Sequence, residues 1–281
     1  MPVDPLITTV IDLDEALGGG ADLLLAGGLG LYLKQRHLQD TGARTLLPSS
    51  RWPTARTTQD IDLVLRAEIV LDSEAMSRHR SALDTLGFEV VPGVEWMKFK
   101  RVVDGRDVIV DIMVGPLGPL EPKVKRDAVR VRPPGSKGLH ARATDDALGV
   151  EHEPRRIKIV SGDRSSEVLV PQAFPYALMK LGALRDRIND ADKDEGRHHA
   201  LDLYRIVAML TEDEDAVANT LARRHAGEDG LLVAIRVIEE LLAPANGLGR
   251  IRMREHPLCP PDADADWLAS ELLRLLGPPS A

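Results

Sequence analysis

Apolar positions in the first half of the chain switch repeatedly between helical and strand-like spacing. Residues 6–17 carry them at the period of an amphipathic helix, which the run Gly18-Gly19-Gly20 stops. Residues 22–26 form a short strand-like run that Gly27-Gly28 breaks. Leu29, Tyr32, Leu33 and Arg36 then recur at i, i+3, i+4 and i+7, one face of a helix. A polar, proline-bearing loop is expected over 41–53, a strand over 61–65, a helix over 73–86 closed by Gly87, and a short strand over 88–91. Residues 96–103 and 108–114 read as two strands joined by a turn at Asp104-Gly105.

The stretch 115–170 is rich in glycine, proline and charge, with one or two short strands expected, such as 157–160 and 168–170. After Pro171 the spacing becomes helical, over roughly 173–188, 197–210, 214–224, 228–243 and 264–276. The reading is therefore an α+β chain. A mixed-sheet domain with a β-rich extension is expected over 1–165 and a helical domain over 166–281.

Composition narrows the function classes. The 281 residues are 43% apolar and 28% charged, close to the globular average, which excludes a disordered or collagen-like chain. Aromatics at 3% argue against an aromatic stacking surface for single-stranded nucleic acid. The single Cys259 excludes an internal disulfide or a multi-cysteine zinc site. No apolar run approaches the roughly 18 residues of a membrane span, and no leader pattern opens the sequence, so a cytoplasmic setting without membrane partners is expected. The net charge of -8 opposes a general nucleic-acid coat. A local groove is compatible with it, because Lys123, Lys125, Arg126, Arg130 and Arg132 crowd together.

Candidate chemistry starts at Arg56-Thr57-Thr58-Gln59-Asp60-Ile61-Asp62. On a strand, Asp60 and Asp62 point to one side while Ile61, Leu63 and Leu65 pack the other. Two such close carboxylates repel unless a cation lies between them, and a hard divalent ion is the usual answer at phosphate-handling sites. Asp111 interrupts an apolar run, so it needs a cation, a hydrogen-bonding partner, a water-filled cleft or a salt bridge to a nearby Arg or Lys. If its strand neighbours that of Asp60 and Asp62, three carboxylates converge, suiting two-metal phosphoryl or nucleotidyl transfer. Gly27-Gly28 lets backbone approach a ligand and offers helix-start N–H groups to phosphate. Position 33 is leucine, so Gly28-Leu29-Gly30 is not a dinucleotide fingerprint.

Two later helices add Lys180, Ala183, Leu184 and Arg187 on one face, and His199, Asp202, Leu203, Ile206 and Leu210 on another. Asp202 on an apolar face requires a partner, and Lys180 can reach it across an antiparallel helix pair. Neighbouring His198 and His199 diverge by about 100°, so a shared metal is not expected; His198 reads as exposed and His199 as a packing residue.

Taken together, Gly-Gly after a strand, Arg-x-Thr-x-Asp-x-Asp and a later strand aspartate resemble the polymerase-β-type nucleotidyltransferase fold. Lys180-x-x-Ala183-Leu184-x-Asp186-Arg187, followed by Ala200-Leu201-Asp202-Leu203-Tyr204, is similar to the C-terminal signature of the AbiEii/MenT-type nucleotidyltransferases, toxin components of bacterial toxin–antitoxin and phage-defence systems. The resemblance covers roughly residues 20–210. It implies Asp60 and Asp62 as the metal-binding pair, with Asp111 expected as the third acid at the metal, holding or activating the attacking hydroxyl. It implies Gly27, Gly28, Arg56, Thr58, Lys180 and Arg187 at the nucleotide, and Asp202 as a helical acid needed for activity. The cofactor would be Mg²⁺, or Mn²⁺ in its place. Leu29 stands where the family often has Ser or Thr, the loop 41–53 is long, and residues 188–196 are more acidic than the family's short basic linker. The expected activity is transfer of a nucleoside monophosphate from an NTP to an acceptor, with a cognate antitoxin as partner; the resemblance and the basic stretch 123–132 favour tRNA as acceptor, the net charge a protein or a small molecule. The alternative is a non-catalytic nucleotide- or partner-binding regulator of the same fold.

Overall fold

The computed structural model describes residues 4–56, 58–135 and 138–277; Thr57 of the aspartate motif lies outside them. The chain divides into two compact units. The first comprises Met1–Lys34, Thr57–Thr144 and Glu153–Pro171, the second Gln35–Arg56, Asp145–His152 and Gln172–Ala281. The last switch between the units falls at 171/172, and the segments 35–56 and 145–152 join the later unit.

The first unit is a mixed sheet with helices. Its elements are α1 (Pro5–Ala16), β1 (Leu24–Leu25), the start of α2 (Gly27–Thr41), β2 (Asp60–Leu65), α3 (Ala67–Leu71), α4 (Ser73–Thr85), β3 (Glu89–Val90), β4 (Lys98–Val103), β5 (Arg106–Val114), β6 (Lys125–Asp127), β7 (Arg130–Arg132), β8 (Ala141–Ala143), β9 (Arg155–Ser161) and β10 (Arg164–Val170). Strand order is β6-β7-β8-β5-β2-β1-β10-β9. β2 and β8 run parallel to β5, and β1 runs parallel to β10. β4 joins β5 as an antiparallel hairpin, with β3 beyond it. The Asp104-Gly105 turn is present, with φ of +50° and +74°, the left-handed pair that a tight hairpin requires.

Why these residues form these elements is largely local. Asp4 caps α1 by accepting the Leu6 N–H at 3.0 Å, and Pro5 takes the first turn, where its missing N–H costs nothing. α1 packs on β9 and β10, and the Ser166 hydroxyl donates to the Asp14 carboxylate at 2.6 Å. In β5, Val108, Val110, Ile112 and Val114 are buried, and in β2 Ile61, Leu63 and Leu65 are. That alternation leaves the aspartates of both strands on the opposite face. Among the described residues of 115–170 there are five strands, not one or two. β6, β7 and β8 have three residues each, too few for a period to declare itself.

The second unit is helical: α5 (Ala173–Arg187), α6 (Lys193–Ala208), α7 (Glu212–Arg224), α8 (Asp229–Val237), α9 (Leu248–Glu255) and α10 (Ala265–Leu276). Thr211 and Glu214 close a capping box on α7. The helix expected over 228–243 changes to a π turn at Ile238–Leu242. α9, a segment in which half the residues are charged, was not expected. Its buried faces belong to Gly249, Arg250, Arg252 and Met253, which carry little apolar signal. Among the described residues no helix is long and apolar enough to cross a membrane.

Candidate functional site

The parallel pairing of β2 with β5 sets Asp60 opposite Ile109 and Asp62 opposite Asp111. Residues opposite one another share a face, so Asp60, Asp62 and Asp111 project from the same side of the sheet. Thr58, just ahead of β2, accepts the Asp60 N–H on its hydroxyl at 3.3 Å. Gly27 and Gly28 form the first turn of α2. Gly27 has φ +59°, and a Cβ there would fall 1.6 Å from Asp62 Oδ2. Only a bare backbone lets the start of α2 lie against that carboxylate.

Asp111 is buried and finds two cations, as the salt-bridge alternative allowed. Lys98, its register partner on β4, places Nζ 3.1 Å from Oδ2, and Arg142 of β8 places Nε 3.8 Å from Oδ1. Among the described residues Oδ1 accepts no hydrogen bond. No three His, Cys, Asp or Glu side chains among those residues are grouped to hold a metal ion. The three acids therefore share a face, but Asp111 is drawn onto Lys98. The pair Asp60 and Asp62 still suits Mg²⁺, which commonly takes one or two carboxylates and completes its octahedron with phosphate oxygens and water.

In the second unit Lys180 of α5 and Asp202 of α6 meet across the helix pair, Nζ to Oδ2 at 2.7 Å, with Asp202 wholly buried. Arg205 donates to Asp202 Oδ1 at 3.0 Å and Arg56 Nη2 lies 3.5 Å from Oδ2. Arg205 also donates to Gln35 Oε1 at 2.6 Å, and Gln35 in turn donates to the Pro53 carbonyl at 3.2 Å. Burial alone would raise the Asp202 pKa; Lys180, Arg56 and Arg205 overcome it and hold the carboxyl well below the usual range. His199 is neutral, its pKa pushed down to about 3 by burial and then by Lys180. Arg187 lies at the exposed end of α5, ion-paired with Asp190 at 3.0 Å.

His198 is half-buried rather than exposed, its Nδ1 3.0 Å from His256 Nε2. The Leu258 N–H donates to His256 Nδ1 at 3.0 Å, so the His256 proton sits on Nε2 and faces His198. That tautomer leaves no lone pair for a metal between the two rings.

Sequence reasoning missed Lys98, Arg142, Arg205 and Gln35. Arg205 was detectable, three residues after Asp202 on the same helix face. Lys98 and Arg142 depend on strand register, which no local pattern carries. Compared with protein-family models and with curated proteins, the chain matches none.

Proposed function

We propose that the chain is a Mg²⁺-dependent nucleotidyltransferase that moves a nucleoside monophosphate from an NTP to an acceptor hydroxyl, with pyrophosphate leaving. The observation that carries it is the in-register placement of Asp62 beside Asp111, with Asp60 on the same face and the glycine-bearing start of α2 against Asp62. Asp60 and Asp62 are the ligands of Mg²⁺, or of Mn²⁺ in its place. The bound ion supplies charge stabilisation at the phosphates. Asp111, in register beside Asp62 and with Lys98 on its Oδ2, is the acid that orients the attacking hydroxyl in this reading. The start of α2, at Gly27 and Gly28, is the phosphate-binding end in this reading, as helix starts commonly are.

In the second unit three cations, Lys180, Arg56 and Arg205, surround one carboxylate, Asp202. By the family likeness, Lys180 and Arg56 are nucleotide contacts of this reading, with Arg187 further along α5. The acceptor we favour is RNA, the 3′ end of tRNA foremost, with a cognate antitoxin protein as regulator and a cytoplasmic setting. The likeness to AbiEii/MenT-type toxins and the basic segment 123–132 support it.

Calorimetric titration with each NTP tests the reading. Binding of at least one NTP should strengthen sharply with Mg²⁺ in the native chain and lose that metal dependence in Asp60→Asn/Asp62→Asn. Metal-independent binding, equal in both proteins, would contradict it.

A further inference from the structure

The first unit carries a built surface that nucleotidyl transfer does not use, where the chain enters β4. Trp96 has φ +71°, a left-handed backbone that a bulky side chain rarely adopts. Its carbonyl accepts the His140 N–H at 2.8 Å. The Arg80 guanidinium lies 5.5 Å from the indole centroid and 5.0 Å from the ring of buried Phe99. Arg80 is itself fixed by Asp84 at 2.6 Å and by the Gly138 carbonyl at 3.4 Å. A stack thus runs outward from Phe99 through Arg80 to Trp96, which is 36% exposed as its outermost layer.

His140 meets the indole edge-on, with centroids 6.5 Å apart. His140 is 7% exposed and its Nδ1 has no hydrogen-bond partner among the described residues. Burial, then Arg130 and Arg132, push its pKa down to about 4, so the two arginines act beside an uncharged imidazole. Register extends the cationic surface: Arg130 pairs with Arg142, and Lys125 with Arg132, all on the face that holds Asp60, Asp62 and Asp111. The acids nearby are Glu95, Asp127 opposite Arg130, and Asp111, 3.8 Å from Arg142.

We propose that this corner binds unpaired nucleotides of an RNA strand, a base stacking on Trp96 and the adjoining phosphates lying over Arg130 and Arg132. A fixed aromatic plane beside fixed guanidinium groups fits a splayed base and its phosphates. A duplex fits badly because its bases already stack on each other. Arg142 continues the cationic path to Asp111 and would lead the strand's end to the acids. That direction rests on the transfer reading; the stacking does not.

The test uses the full chain in EDTA without NTP, with a fluorescein-labelled oligoadenylate of a dozen nucleotides followed by anisotropy. Binding should weaken steeply with salt. Trp96→Ala should weaken it roughly tenfold. Arg130→Gln and Arg132→Gln should each lower the salt slope by about one. Trp96→Phe, which keeps a stacking ring at the same strained position, should retain most of the affinity, and circular dichroism checks that each variant is folded. Equal binding by Trp96→Ala, absence of binding by the native chain, or equally tight binding of a blunt duplex would overturn the proposal. RNA binding without nucleotide transfer would leave this surface standing and the enzyme reading fallen; transfer with Trp96-independent binding would do the reverse.

Discussion

The Asp62 carboxylate occupies the space where a side chain at position 27 would stand: a Cβ on Gly27 would lie 1.6 Å from Oδ2 and 2.5 Å from Cγ. The contact joins the start of α2 to the acid face of the sheet and makes glycine obligatory twice over, by space and by its φ of +59°.

Gly27→Ala is therefore expected to lower stability by about 2 kcal/mol or more, since a left-handed non-glycine residue alone costs on the order of 1–3 kcal/mol. Adding Asp62→Ala should recover the part due to the clash and leave the part due to φ. Urea denaturation of the two single variants and the double variant separates the contributions. A double variant no better than Gly27→Ala would show that the carboxylate yields to the methyl group.

Asp202→Asn should destabilise the chain by roughly 3–5 kcal/mol, the usual result of stranding buried charge, here Lys180 and Arg205. Lys180→Met should cost less, because Arg205 and Arg56 still neutralise Asp202. Exchanging the two residues, so that position 180 carries Asp and 202 carries Lys, should not restore stability. The relocated ammonium would stand between two guanidinium groups. Thermal melts of the three variants check the order; full rescue by the exchange would show Lys180 and Asp202 to be an isolated pair.

Acid should unfold the chain through both kinds of shifted group. His140 and His199 have folded pKa values of about 4 and about 3, below the ordinary 6.5. The unfolded chain therefore binds more protons below pH 6.5, and stability falls as pH drops from there toward 4 and 3. The Asp202 carboxyl, also held down, adds a loss that begins only near pH 4, where its unfolded form takes up a proton. Urea midpoints between pH 7 and pH 4.5 should decline, and less steeply in His140→Asn. A flat profile would contradict the buried neutral histidines.

How much of this was legible depended on where each signal lies. The pattern Asp60-Ile61-Asp62 placed two acids on one strand face, and an isolated Asp111 in an apolar run announced a partnered carboxylate; both readings agree with the structure. The meeting of Lys180 with Asp202 followed from helix periodicity alone. By contrast, Asp111 is held by Lys98 and Arg142 because β4 and β8 both pair with β5, a register set by tertiary packing. The Gln35–Arg56 excursion into the helical unit was equally hidden, since Arg56 reads in sequence as part of the aspartate motif and in space belongs with Asp202. The π turn after Val237 interrupts an apolar period that continues smoothly in sequence.

Incubation of the purified chain with Mg²⁺, α-labelled NTPs and total RNA tests the central claim most directly. Label should enter RNA from at least one NTP, with pyrophosphate released in equal amount, and Asp62→Asn should abolish incorporation while remaining folded. Nucleotide binding without incorporation into RNA or any added protein, or incorporation undiminished in Asp62→Asn, would contradict it.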